Sequence, residues 1–291
     1  MQDPSQASLL LNKHDKRSRF LWLKPIFKLG ILLFLILLIA WLWGERQLVT
    51  VATYQLRLSD LPATFKGMRI VFLTDLHYGK GFGKDELRRV VTMAQELRPD
   101  LILLGGDYLG SGVHGYAELL EELSGLKAKE GIYAVMGNHE YTFGGTEALK
   151  GLFSRYGLRL LVNDGVWIKR AKARIRLCGL DDIWYGKPSL QAALAEAQPS
   201  DVVILVCHNP DFASSLKPGQ VDLMFSGHTH GGQITFFGLY APLLPTATGQ
   251  KYRSGLVKDR ACPVVVSNGL GTIWPYLRFF APPQIVLVVL E

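Results

Sequence analysis

Five of the seven histidines lie in four short clusters, three of which also contain Asp, Asn or Glu. The clusters are Asp75-Leu76-His77, Gly137-Asn138-His139-Glu140, Cys207-His208-Asn209-Pro210 and Gly227-His228-Thr229-His230, and Gly105-Gly106-Asp107-Tyr108 adds a further carboxylate. Imidazole, carboxylate and amide oxygen together suit Zn, Mn or Fe better than Ca or Mg alone. We therefore expect these clusters to build a metal site.

Most of these clusters follow apolar runs that are typical of buried strands, at residues 68–74, 100–104, 131–136 and 202–206. Ligands of open α/β sheets bind at the carboxyl ends of strands, so the loops after these strands would meet at one edge. Residues i and i+2 point the same way on an extended chain, so Asp75 and His77 can face one ion, as can His228 and His230. A single Asp-x-His is more often a turn or a cap, and only the ordered set favours a metal site.

In this order the clusters resemble the calcineurin-like metallophosphoesterases, whose pattern is Asp-x-His, Gly-Asp, Gly-Asn-His-Asp/Glu, His and Gly-His-x-His. The resemblance covers residues 66–291 and implies an α/β fold, a four-layer α/β/β/α sandwich with two divalent metal ions (Mn, Zn or Fe). It implies that Asp75, His77, Asp107 and His230 hold one ion, and that Asp107, Asn138, His208 and His228 hold the other. Two ions about 3.5–4 Å apart would neutralise a phosphate and lower the pKa of a bound water. His139 would protonate the leaving group as the catalytic general acid.

The sequence departs from some members of this family at Gly110. Protein phosphatases of the family carry an Asp three residues after the bridging Asp, and Gly110 occupies that position here. This difference argues against a Ser/Thr protein phosphatase and leaves open which group orients His139. The closest resemblance is to a membrane-attached bacterial subgroup, through residues 227–233 and 278–287. One branch of that subgroup is linked to UDP-2,3-diacylglucosamine pyrophosphatase, an enzyme of lipid A biosynthesis.

Near the N-terminus, residues 29–44 are uncharged and apolar, and with residues 26–28 they approach the ~20 residues that span a bilayer. Trp41 and Trp43 suit a membrane interface. No small-x-small cleavage site follows, so an uncleaved transmembrane anchor is expected, with an interfacial helix as the alternative. The predicted organisation is a basic cytoplasmic tail (1–19), a transmembrane anchor (20–44), a linker with a first strand (45–65) and the phosphoesterase domain (66–291).

The positive charge is concentrated at the N-terminus. Residues 1–46 carry seven cations against three acids, which is +4 of the formal +7. The folded part is only mildly basic, which disfavours a nucleic-acid partner. Six of the cations precede the apolar run, so the positive-inside rule favours an exoplasmic domain on a bacterial plasma (inner) membrane. A UDP-linked lipid A precursor is expected on the cytoplasmic side, so the side stays open. Three cysteines, Cys178, Cys207 and Cys262, give no disulfide framework and fit either side.

Further predictions concern the remaining segments. Helices are expected at residues 84–97, 116–126, 146–156 and 189–197. Two apolar stretches, residues 235–244 and 273–280, are expected to pack in the core, with a lip that admits an acyl chain as the alternative. Asp181 and Asp182 are expected to form a turn, with a substrate loop as the less favoured interpretation.

The predicted function is a dinuclear-metal hydrolase that cleaves a phosphodiester or pyrophosphate bond in a lipid-linked substrate such as UDP-2,3-diacylglucosamine. One alternative is a membrane-tethered phosphodiesterase acting on a soluble or cell-wall phosphate ester. Another is a non-catalytic metal-bound scaffold, which a degraded ligand set would favour, whereas here every ligand position is filled. The expected partners are a phosphate-containing substrate, with a lipid as one candidate, and a membrane. The sequence does not constrain the oligomeric state.

Overall fold

The computed structural model describes residues 25, 27–110, 112–113, 115–142 and 145–291. The chain divides into two compact units, residues 1–44 and residues 45–291. The expected basic tail, residues 1–19, and residues 20–24 of the expected anchor lie outside the described residues.

The described part of the first unit is an apolar helix. This helix, α1 (Phe27–Glu45), has 19 residues and a mean hydropathy of 2.3, and no residue of its apolar stretch is buried. Its length and composition suffice to cross a bilayer. They are consistent with a single-pass membrane protein, and an N-terminal signal sequence would have the same properties.

The second unit is an α/β sandwich. Its strands are β1 (Thr50–Leu56), β2 (Arg69–Leu73), β3 (Leu101–Leu104), β4 (Ile132–Ala134), β5 (Arg159–Leu160), β6 (Asp164–Arg170), β7 (Ala173–Gly179), β8 (Val203–Val206), β9 (Leu223–Ser226), β10 (Gly255–Lys258), β11 (Pro263–Val266) and β12 (Gln284–Leu290). Its helices are α2 (Lys84–Glu96), α3 (Ala117–Leu123), α4 (Thr146–Arg155) and α5 (Leu190–Leu194).

The strands form two six-stranded sheets, ordered β1-β12-β2-β3-β4-β5 and β10-β11-β9-β8-β7-β6. Strands β2 to β5 run parallel in the first sheet, and β7, β8, β9 and β11 run parallel in the second. Parallel strands place their carboxyl ends at one edge of their sheet. The loops that follow these strands therefore gather at one edge of each sheet.

Alternation along the strands separates the layers. In β2, Ile70 and Phe72 join the core between the sheets, whereas Val71 and Leu73 join the core beneath α2, α3 and α4. Every second side chain of a strand points to the same face, so a strand buried on both faces is apolar throughout. A third cluster covers the far face of the second sheet and includes Ala193 of α5. These layers confirm the predicted α/β/β/α architecture.

The predicted elements form with shorter bounds. The four predicted strands correspond to β2, β3, β4 and β8, and the four predicted helices to α2, α3, α4 and α5. The largest differences are in two helices: the one expected at residues 116–126 is Ala117–Leu123, and the one expected at residues 189–197 is Leu190–Leu194. Within the expected linker, β1 pairs in parallel with β12 over its full length, so this segment is part of the sheet.

The expectation of core packing for the two apolar stretches is wrong for most of their large side chains. Phe237, Leu239 and Leu243 are 72%, 82% and 83% exposed, and Trp274 is 81% exposed. Both stretches form loops beyond the sheets rather than strands, so their side chains have no sheet face to pack against.

Candidate metal centre

The seven predicted ligands lie on loops at the carboxyl ends of five strands. Asp75 and His77 follow β2, Asp107 follows β3 and Asn138 follows β4, all in the first sheet. The second sheet contributes three histidines, from the loops after β8 and β9: His208, His228 and His230. Each sheet therefore supplies part of the site, and the site exists only because the two sheets pack face to face.

The backbone of these loops is unusual. The five residues Asp75, His77, Asp107, His228 and His230 all have positive φ, between 43° and 69°. Such angles are uncommon for residues with a side chain and concentrate at functional sites, where surrounding structure enforces them. The loops also approach closely, because a Cβ on Gly106 would lie 2.5 Å from the nitrogen of Gly137. Glycine is required where two backbones come this near.

The ligand atoms converge in overlapping groups. In the first group, His230 Nε2 lies 3.1 Å from His77 Nε2 and 3.5 Å from Asp75 Oδ1. In the second, His208 Nε2 lies 3.3 Å from Asp107 Oδ2 and 3.2 Å from His228 Nδ1.

Asp107 stands between the two groups, since its Oδ2 is also 3.5 Å from His77 Nε2. Among the residues that the structure describes, three triplets have atoms that could hold a cation: Asp75/His77/His230, His77/Asp107/His139 and Asp107/His208/His228. A carboxylate placed in this way can be shared by two ions, because it has two oxygens.

Second contacts fix which ring nitrogen faces the site. His208 Nδ1 lies 2.8 Å from the carbonyl oxygen of Gly105, so Nε2 points inward. His228 is reversed, with Nε2 2.9 Å from the carbonyl oxygen of Pro245 and Nδ1 inward. Such outer contacts set the tautomer and orientation of a metal-binding histidine.

The electrostatics favour positive charge at this position. Although burial alone would lower it, the Asp107 carboxylate raises the pKa of His208 to about 10. Burial lowers the pKa of His77 and of His228 to about 3, so these rings are neutral and can offer a lone pair. Burial raises the pKa of Asp75 to about 6. A proton held by His208 beside Asp107 thus occupies a place that a cation would take. Metal ions compete with protons for such ligands.

A buried amide oxygen supplies an independent test of metal binding. Asn138 Oδ1 is buried and has no hydrogen-bond partner among the described residues, and the same is true of His77 Nδ1 and His230 Nδ1. An unpaired buried acceptor is costly and calls for an explanation. A cation bound beside Asn138 would satisfy its oxygen, so the donor set fits divalent metal ions of the kind that imidazole and carboxylate bind.

Glu140, whose role the sequence did not reveal, supports the bridging loop. Its fully buried carboxylate accepts hydrogen bonds from the backbone nitrogens of Asp107 at 2.8 Å, Tyr108 at 3.0 Å and Gly137 at 2.7 Å. Burial, followed by the charge of Asp107, raises the pKa of Glu140 to about 7. One side chain thereby connects the loops after β3 and β4. The sequence signal was its place as the last residue of the Gly137-Asn138-His139-Glu140 cluster.

Arg278 plays the corresponding part on the other side. It is fully buried, and its guanidinium donates to the carbonyl oxygens of His230, Asn268, Gly271 and Ala281 at 2.6–3.3 Å. Burial lowers the pKa of Arg278 to about 10, so it stays charged at neutral pH. Its planar donors join two loops, the one after β9 that carries His230 and the one between β11 and β12.

His139 lies at the edge of the site, with its side chain 24% exposed and Nε2 4.0 Å from Asp107 Oδ2. Its ring packs edge-on against His77, with centroids 4.6 Å apart. The backbone nitrogen of His139 donates to Asp107 Oδ1 at 3.0 Å, which fixes the start of its loop. Position 110 is too crowded for the Asp that protein phosphatases carry there, because a Cβ would lie 2.9 Å from the carbonyl oxygen of His77.

The Asp181–Asp182 pair forms the expected turn, and the turn also positions an aromatic side chain. Asp182 Oδ1 accepts from the backbone nitrogens of Trp184 and Tyr185, at 2.9 and 2.8 Å. The Trp184 ring then packs edge-on against His228, with centroids 4.3 Å apart. Trp184 therefore forms part of the wall of the site.

Comparisons with known proteins agree with this geometry. A sequence profile described as calcineurin-like phosphoesterase matches residues 68–232, which is more than half of the chain and includes all seven predicted ligands. The chain is 29% identical to the metallophosphoesterase YkuE of Bacillus subtilis, over 85% of this chain and 87% of that protein. It is also 29% identical to the phosphodiesterase YaeI of Escherichia coli, over 79% of this chain and 84% of that protein.

A zebrafish protein named transmembrane protein with metallophosphoesterase domain is 29% identical over 90% of this chain, which spans 62% of that protein. The profile match, the order of the clusters and the layered fold lead to one conclusion. The chain belongs to the calcineurin-like phosphoesterase family, whose members are metal-dependent phosphoester hydrolases with a centre of two divalent ions.

Proposed function

We propose that this protein hydrolyses a phosphodiester or pyrophosphate bond in a lipid-linked substrate at a membrane. In the proposed centre, Asp75, His77, Asp107 and His230 hold one divalent ion, and Asp107, Asn138, His208 and His228 hold the second. Mn, Zn and Fe are the candidate ions, because the donor set is mostly imidazole with carboxylate.

The bound ions would neutralise the phosphoryl oxygens and activate water. Protein residues would support the ligand loops, donate the proton and form the wall of the site. Glu140 and Arg278 hold the ligand loops rigid through backbone hydrogen bonds. His139 lies at the open edge, beside Asp107, where it can donate a proton to the leaving oxygen. Trp184 closes one wall against His228.

The observation that supports a lipid substrate is an apolar cavity next to the metal site. Its volume is about 400 Å³, and Thr229 and His230 are among the residues that line it. The rest of the lining is largely apolar, from Gly232, Gln233, Ile234, Pro242, Leu243, Leu244, Pro245, Ile273, Trp274 and Pro275. A mostly apolar cavity with a few polar groups at one end suits a ligand with a greasy body and a polar head. A phosphate at the metals would thus have room for an acyl chain beside it.

The test uses the full-length protein in nanodiscs, stripped of metal and reloaded with Mn, Zn, Fe or Mg. Each preparation is assayed on pairs that share a headgroup, such as UDP-2,3-diacylglucosamine and its deacylated form, or a lipid pyrophosphate and a short-chain analogue. We expect metal-dependent cleavage with a preference for the acylated member. Equal rates on both members would instead support a membrane-tethered phosphodiesterase of soluble or cell-wall esters.

We further propose that α1 is a single-pass anchor in a bacterial plasma membrane, with the catalytic unit on the exoplasmic side. Six cations precede the apolar run of residues 29–44, which is the motivation for this orientation. Protease added to intact spheroplasts should cut the catalytic unit. Protection until lysis would reverse the orientation and make UDP-2,3-diacylglucosamine, a cytoplasmic-face substrate, the leading candidate. Cleavage would favour an exported lipid phosphate.

A further inference from the structure

Five large apolar side chains near the metal site are exposed. Phe236, Phe237, Leu239, Leu243 and Trp274, here called the apolar rim, are 61%, 72%, 82%, 83% and 81% exposed. Soluble proteins scatter such residues singly, whereas contiguous exposed apolar surface marks an interaction site. The rim adjoins the apolar cavity, since two of its residues, Leu243 and Trp274, also line that cavity.

The rim is held outward by an ordered backbone. The nitrogen of Phe236 donates to the carbonyl oxygen of Tyr240, and the nitrogen of Leu239 donates to that of Phe236, so residues 236–240 form a closed turn. Thr235 Oγ1 accepts from Gly238, and Arg253 donates to the Gly238 carbonyl oxygen at 2.6 Å. These bonds keep the turn from folding its side chains onto the domain. The exposure is therefore a built feature of the loop.

The position of the rim in the catalytic unit indicates what covers it. Glu45, the first residue of that unit, accepts hydrogen bonds from the backbone nitrogens of Phe280 and Ala281, at 2.9 and 2.7 Å. The Phe280 ring in turn lies 5.3 Å from that of Phe237, measured between centroids. Within the unit, the end that continues into the apolar helix is thus fastened to the loop that contacts the rim. Aromatic and leucine side chains at such a place are typical of residues that enter the interfacial layer of a bilayer.

We propose that the apolar rim inserts into the interfacial layer of the membrane and holds the metal site against the lipid surface. The bilayer is the occupant because the rim is apolar and the unit is joined at this point to a helix able to cross a membrane. A lipid could then enter the cavity from the membrane without passing through water. Docking does not depend on the substrate, so its failure and the failure of the proposed lipid hydrolysis are separate outcomes.

The test places a fluorescent probe on the rim of the full-length protein in nanodiscs. All three native cysteines are buried, so a single exposed cysteine can be labelled selectively. Leu239→Cys and Leu243→Cys carry an environment-sensitive dye, and Lys172→Cys, on the exposed turn between β6 and β7, is the control. Lipids bearing a nitroxide near the top of the acyl chain serve as quenchers. Retained metal content and far-ultraviolet circular dichroism show that each variant is folded.

We expect a blue shift and loss of emission at both rim positions when the nitroxide lipid is present, and no change at residue 172. Emission typical of water at both rim positions, with no quenching, would overturn the proposal. A blue shift without lipid quenching would also overturn it, because the rim would then be covered by protein. Crosslinking between two copies through the same cysteines, left unlabelled, would identify the covering protein as a second copy of this chain.

Discussion

The metal site and the apolar rim are opposites in composition and burial. The metal site places Asp and His side chains in the buried interior, whereas the apolar rim exposes Phe, Leu and Trp side chains to solvent. Either arrangement alone costs stability, because buried polar groups and exposed apolar surface both oppose folding. Such departures from the ordinary inside-outside pattern concentrate where a protein functions. Under the proposals made above, the buried region would bind a phosphate with its metal ions and the exposed region would contact lipid.

The strongest way to break the buried half of this comparison is Asp107→Asn. Asp107 is the carboxylate shared between the two ligand groups, so its loss should release metal and reduce activity to background. Elemental analysis and turnover of a nitrophenyl ester measure both effects. Asp60→Asn, at an exposed aspartate, is the control. Normal turnover with two ions still bound would refute the shared-ligand assignment.

His139→Ala should separate proton donation from metal binding. His139 lies at the edge of the site and is partly exposed, so most of the metal should remain. Esters with poor leaving groups should slow by about 10²–10⁴-fold, because they depend on a proton donor. Nitrophenyl esters should slow far less. Equal losses on both kinds of ester would exclude a general-acid role for His139.

Glu140→Ala should act mainly on stability. Three buried backbone nitrogens lose their acceptor, which should lower the free energy of unfolding by about 3 kcal/mol. Denaturant unfolding in detergent measures this change, with Glu147→Ala, at an exposed glutamate of α4, as the control. A loss within about 0.5 kcal/mol, the range of ordinary surface substitutions, would contradict the supporting role of Glu140.

Gly110→Ala tests why the Asp that protein phosphatases carry at this position is absent here. An added Cβ would lie 2.9 Å from the carbonyl oxygen of His77, so we expect a loss of about 1–3 kcal/mol, as for other overpacked sites. Gly151→Ala, where α4 has open space, should be neutral or stabilising. Equal effects of the two substitutions would show that the chain tolerates a side chain at residue 110.

The sequence was sufficient to predict which side chains converge, because the clusters close apolar runs, and strand ends meet at a sheet edge. It could not reveal the supporting residues. Glu140 matters because the loops after β3 and β4 meet, and Arg278 matters because it reaches the carbonyl oxygen of His230, which is 48 residues away. Both depend on contacts that no local pattern encodes.

The apolar rim shows the opposite limit of sequence reasoning. Hydropathy alone predicts burial for Phe237 or Leu239, yet the closed turn at residues 236–240 holds them outward. The turn depends on hydrogen bonds from Thr235 and Arg253, which a count of apolar residues does not register.

The most direct test of the central claim, that both regions act on one lipid substrate, is a ratio of kcat/KM values. It compares the acylated substrate with its deacylated headgroup, in the wild type and in Leu243→Asn, which alters the cavity wall. The ratio should fall about tenfold in Leu243→Asn, as loss of one leucine contact predicts, while headgroup turnover is unchanged. Val51→Thr, on an exposed strand, should leave the ratio as it is. An unchanged ratio in a folded, metal-loaded Leu243→Asn protein would contradict the claim.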